Sequence, residues 1–127
     1  MKVRIKGNSL RIRLTKSEVD YFARFGYLEE KTQFGNKDFV YALQAKGSGE
    51  LSASFDNGKM VMVVPEAIAH TWTTTEKVGY ENDMDIGDGK KLYLLLEKDF
   101  KCLDNTTEDQ SDNYDNPLAA EHGAGKS

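Results

Sequence analysis

The chain of 127 residues has one cysteine, Cys102, so no disulfide can form within it, and no Cys/His set has zinc-ligand spacing. It also lacks a long apolar run: the longest, Leu92–Leu96, is far too short to cross a bilayer. Charge begins at Lys2, without the apolar stretch of a signal peptide. These absences lead us to expect a cytoplasmic protein with no membrane contact, no metal and no cofactor. A further absence is local. No acid precedes Glu18, while Met1–Lys16 holds six cations.

Those cations are patterned. In Lys2-Val3-Arg4-Ile5-Lys6 the even positions are basic and the odd ones apolar, the period-2 signature of a half-buried strand. Gly7-Asn8 follows, and Ser9-Leu10-Arg11-Ile12-Arg13-Leu14 repeats the alternation, which predicts a hairpin with a two-residue loop. Ile5 then faces Leu10 and Val3 faces Ile12. On the other face Lys2 meets Arg13 and Arg4 meets Arg11, a like-charge facing that costs up to about 1 kcal/mol per pair. Lys2, Arg4, Lys6, Arg11 and Arg13 are therefore the candidate anion-binding residues. Three readings compete: an anionic ligand, a solvated edge hairpin guarded by charge, or pairing with the protein's own acids, from Glu97 and Asp99 or from the C-terminal segment.

The net charge of −4 argues against a general nucleic-acid binder. No exposed aromatic ladder of the kind single-strand binders use is evident either. The balance is uneven along the chain. Asp104–Ser127 holds six acids against Lys126 alone, and Glu108, Asp109 and Asp112 form the candidate acidic partner segment.

Thr15 and Glu18 form a capping box, Leu14 and Val19 a hydrophobic staple, and Gly26 a natural stop, which predicts a helix after the first hairpin. Leu28–Lys37 reads as loop and Phe39–Leu43 as a strand. A second hairpin is expected around Asn57-Gly58, with Asp56 facing Lys59, Phe55 facing Met60 and Ala53 facing Met62. Pro65 suits the first turn of a short helix, Glu66–Trp72. Thr73–Gly89 reads as polar loop, and Lys91–Lys98 as a final, central strand. No internal repeat beyond the two hairpins is apparent. The expected fold is α+β: an antiparallel sheet or half-open barrel of about five or six strands with two short helices. Residues 1–104 form the expected domain and 105–127 an acidic polar tail.

Several apparent motifs dissolve on inspection. Gly125-Lys126-Ser127 resembles the end of a P-loop, but Ala120 stands where the first glycine belongs. Asp83–Gly89 suggests a calcium loop, yet Gly87 takes a ligand position and Leu94 stands in place of the bidentate Glu, so a plain turn is the better reading. His70 has no assignable nucleophile, and Cys102 reads as a small core residue.

Ile5–Thr15, Glu108-Asp109-Gln110-Ser111-Asp112 and Asn116-Pro117 together resemble a family of short bacterial proteins of unknown function. The resemblance runs from residue 1 to about 117. It implies no activity, cofactor or site residue, only that the acidic element travels with the basic hairpin. The function expected from these residues is a binding or accessory protein without catalytic machinery. The alternative is a protein that binds or hydrolyses phosphorylated small molecules or polyphosphate on the basic face.

Overall fold

Both expected hairpins form with the expected registers. In the computed structural model, which describes residues 1–99, β1 (Lys2–Lys6) and β2 (Ser9–Leu14) pair antiparallel, with Ile5 opposite Leu10 and Arg4 opposite Arg11. The chain continues through α1 (Lys16–Phe25), β3 (Tyr27–Gln33), β4 (Asp38–Ala45), β5 (Ser52–Asp56), β6 (Lys59–Val64), α2 (Glu66–Thr74), β7 (Gly79–Gly87) and β8 (Lys90–Lys98). The eight strands make two four-stranded mixed sheets, ordered β1-β2-β8-β7 and β3-β4-β6-β5. This replaces the expected single sheet or half-open barrel of five or six strands.

The six strands read from the sequence are all present, and the two additions are β3 and β7. Each lies at a sheet edge. There only one face meets the core and the charges that protect an edge interrupt the apolar signal. β3 offers the core only Leu28 among its large apolar residues. β7 alternates Tyr80, Asn82, Met84 and Ile86 against Glu81, Asp83 and Asp85, so the run expected to be a plain turn is strand as far as Gly87. The turn itself is only Asp88-Gly89.

The parallel contacts explain the mixed sheets. β2 runs parallel to β8, with Leu10 beside Leu94 and Ile12 beside Leu96; β4 runs parallel to β6, with Tyr41 beside Met60 and Leu43 beside Met62. These pairings also reveal a duplication. Adding 50 to each number in the β1–β2 register gives the β5–β6 register: Lys2–Arg13 becomes Ser52–Val63, and Val3–Ile12 becomes Ala53–Met62. The buried residues Leu10, Ile12, Leu14, Val19 and Phe22 map in the same way onto the buried Met60, Met62, Val64, Ala69 and Trp72. Each half is a ββαββ unit. Each sheet takes one hairpin from either half, so the two halves are related by a pseudo-two-fold axis. The sequence hides this because the outward face of the first hairpin is basic while that of the second is Ser52, Ser54, Asp56, Lys59, Val61 and Val63.

One core fills the space between the sheets and under the helices. α1 begins as its residues dictate. The Thr15 amide donates to Glu18 Oε1 (2.9 Å), the Glu18 amide donates to Thr15 Oγ1 (3.4 Å), and Gly26, at φ 70°, closes the C-terminus by donating to the Phe22 carbonyl. α2 has no such side-chain cap, because Pro65 stands where Thr15 stands in the first unit. Side chains tie the edges of the two sheets together. The Met1 α-amino group donates to both Glu18 and Glu30, and Asn82 Nδ2 donates to the Leu51 carbonyl (2.9 Å). No helix among the described residues is long and apolar enough to cross a membrane.

Candidate functional site

The helices cover one end of the space between the sheets, and the other end stays open. There, at the hairpin tips, a cleft of about 370 Å³ is walled almost wholly by apolar side chains. The duplication builds it from matched pairs: Ile5 with Phe55, Leu10 with Met60, and Phe39 with Leu92. Met84 and Ile86 from β7 complete the walls. The Met84 sulfur accepts the Ala53 amide at 3.4 Å, joining the two sheets across the cleft.

At its mouth the apolar residues are not covered. Ile5 is 62% exposed, Phe55 65% and Ile86 47%, and Phe34 stands out nearby in a shallow depression shared with Phe39 and Phe55. Large apolar residues scattered singly over a surface need no explanation, but several converging on one cleft do. The volume lies within the range of small-molecule sites. The sequence does carry a signal for this cleft. Ile5 and Phe55 each occupy the inward position next to a tight turn, in both halves, where a closed sandwich end would place a polar residue.

The basic ladder lies on the outer face of the first sheet, and it divides. Lys2 Nζ lies 3.1 Å from Asp99 Oδ2, and Arg13 Nη1 lies 3.9 Å from Asp99 Oδ1. Arg13 and Asp99 are both buried, and burial presses the guanidinium's pKa below its usual range while Asp99 opposes that shift. Neither Arg13 Nη1 nor Asp99 Oδ2 has a hydrogen-bond partner among the described residues. Arg4, Lys6 and Arg11 form no ion pair among the described residues. With Ser9 and Tyr93 they line a separate depression of about 160 Å³. The same face turns acidic at the far edge, where β7 presents Glu81, Asp83 and Asp85; the Tyr93 hydroxyl donates to Glu81.

Glu108, Asp109 and Asp112 lie outside the described residues, as does Cys102. His70 is exposed on α2, where its carbonyl accepts the Thr74 hydroxyl. Among the described residues no group of three or more His, Cys, Asp or Glu could hold a metal ion.

Residues 1–118 match a family of unknown function, DUF7009. The chain belongs to that family. No curated protein and no solved structure matches it. Membership in DUF7009 thus extends past the last described strand and takes in the acidic element at 108–112.

Proposed function

We propose that this member of DUF7009 is a cytoplasmic binding module without catalytic machinery, and that it holds a small apolar ligand in the cleft between its hairpin tips. One observation carries the reading: the matched pairs Ile5/Phe55, Leu10/Met60 and Phe39/Leu92 converge on a 370 Å³ space whose rim stays exposed. The walls carry no charged group, so the buried part of the ligand carries none. The compartment rests on the single cysteine, in keeping with a reducing environment. We take residues 1–104 as the folded unit and 105–127 as an acidic segment attached to it.

A neutral aromatic dye such as 1-aminoanthracene tests the cleft. Saturable binding near one dye per chain, lost in Phe55→Asp, supports the proposal. Absent saturation, or equal binding by that variant, sinks it.

A second reading gives the basic face an anionic ligand of the phosphate class. It is favoured by Arg4, Lys6 and Arg11 lining one depression with no acid paired to them among the described residues. Inorganic tripolyphosphate should then raise the melting temperature at low salt and lose that effect as screening grows.

A further inference from the structure

The duplication gives each edge strand of one sheet a counterpart in the other, and the counterparts β5 and β1 are finished differently. The tight turn after β5 makes Asp56 and Lys59 its closing bonded pair, so Ala53 and Phe55 turn their backbone groups away from β6. β7 closes that side. Met84 accepts the Ala53 amide at 3.4 Å, and Asn82 donates to the Leu51 carbonyl at 2.9 Å. By the same register Val3 and Ile5 of β1 turn their backbone groups outward. Here β3 supplies Glu30 in place of Asn82, and Glu30 holds the Met1 amine at 2.8 Å. Thr32, which is exposed, stands in place of Met84. Among the described residues nothing bonds the Val3 and Ile5 backbone on its open side.

This open edge is basic on one face and apolar on the other. Lys2, Arg4 and Lys6 stand exposed on the outer face, and Ile5 stands exposed on the inner one. Arg4 lies opposite Arg11, and neither of them nor Lys6 meets an acid among the described residues. A second copy of β1, paired antiparallel through Arg4, would set these cations against one another, which is destabilising. The charges therefore guard the edge against its own kind. They are no guard against an acidic strand.

We infer that the β1 edge takes an extended segment of another protein, with acidic and apolar residues in alternation, as a fifth strand of that sheet. The added strand runs antiparallel to β1, the arrangement that leaves one sheet face in water. Its apolar residues lie opposite Val3 and Ile5, exchange both backbone bonds with them, and turn their side chains inward beside Ile5. Its acids lie opposite Arg4 and Lys6, in the closer pairs that exchange no backbone bonds, where carboxylate meets cation. Main-chain bonds supply the affinity and the alternation supplies the specificity. The inference does not rest on the apolar ligand proposed for the deeper cleft.

The test titrates the full chain into a fluorescein-labelled Glu-Val-Glu-Val-Glu peptide and follows anisotropy. Saturable binding of one peptide per chain at low salt, weakening as salt rises, is expected. N-methylation of both valine amides keeps every charge but deletes the donors to the Val3 and Ile5 carbonyls. It should weaken binding about tenfold. N-methylation of the central glutamate, whose amide faces away from β1, should leave binding unchanged. Arg4→Glu should also weaken it about tenfold, with circular dichroism checking that the variant is folded. Absent saturation overturns the inference. So does equal binding of the valine-methylated peptide, which would reduce the interaction to charge alone. Self-association of the free chain that the peptide reverses would give the edge to a second copy, and that too overturns it.

Discussion

Phe22 of α1 and Trp72 of α2 meet edge to face, with ring centroids 6.4 Å apart and planes inclined at 69°, at positions that the duplication makes equivalent. Both side chains are fully buried. Each helix thus presents its bulkiest buried residue to its counterpart across the pseudo-two-fold axis. The indole N–H is not wasted: it donates to the Val78 carbonyl at 2.8 Å, leading the chain into β7. Phe22→Ala or Trp72→Ala should each cost about 3–5 kcal/mol in denaturant unfolding. A double-mutant cycle should return a coupling of about 0.5–1.5 kcal/mol, and additivity would show the ring geometry to be incidental.

The two helix starts differ, which gives a second prediction. Thr15→Ala removes the acceptor at the start of α1 and should destabilise by about 1 kcal/mol. Urea unfolding with an unchanged m-value is the measurement, and no shift in midpoint would deny the box its role. α2, lacking a side-chain cap, should be the first helix to exchange its N-terminal amides.

Glycine matters for different reasons at two sites. A Cβ on Gly79 would lie 2.3 Å from the Leu96 carbonyl oxygen, so Gly79→Ala must push β7 away from β8. Gly7 meets nothing within 4 Å, but its φ of +55° strains any other residue. Gly79→Ala should cost about 1–3 kcal/mol, against about 1 kcal/mol for Gly7→Ala. Thermal unfolding of the two variants side by side would check the order.

Much of this fold is legible locally. The Gly7-Asn8 and Asn57-Gly58 turns, the Thr15–Glu18 box and the Gly26 stop all act within a few residues, and the sequence displays them directly. The edge strand β7 does alternate, but its acids and the glycines at 87 and 89 give the same stretch the look of a turn. The edge strand β3 was not legible, since Glu29, Glu30 and Lys31 leave Leu28 without an alternating apolar partner. Nor was the duplication, because it lives in the identity of buried positions rather than of residues: Ile12 stands for Met62 and Phe22 for Trp72. The cleft needs both sheets, so no single stretch could announce it.

A pH prediction comes from the other tie between the sheets. Burial works to lower the pKa of the Met1 α-amino group, but hydrogen bonds and charge from Glu18 and Glu30 outweigh it and raise the pKa above its ordinary 8.0. A group whose folded pKa is raised contributes stability in full below its unfolded value. That stability is lost as pH climbs through the folded one. The native protein should therefore be more stable than its Nα-acetylated form at pH 7, and the gap should close progressively above about pH 8. A gap constant from pH 7 to 10 would refute the tie.

The pseudo-symmetry in space is not a symmetry in time. β3, β4, β5 and β6 occupy one continuous stretch, residues 27–64, so their sheet can close while the second half of the chain is still being made. The other sheet joins Leu10 to Leu94, across 84 residues. Its first hairpin must wait for β8, residues 90–98, before that sheet can close. Contacts that distant form late because a long loop must close before they reward the chain. In pulse-labelled hydrogen exchange during refolding, amides of β4 and β6 should gain protection before those of β2 that bond to β8.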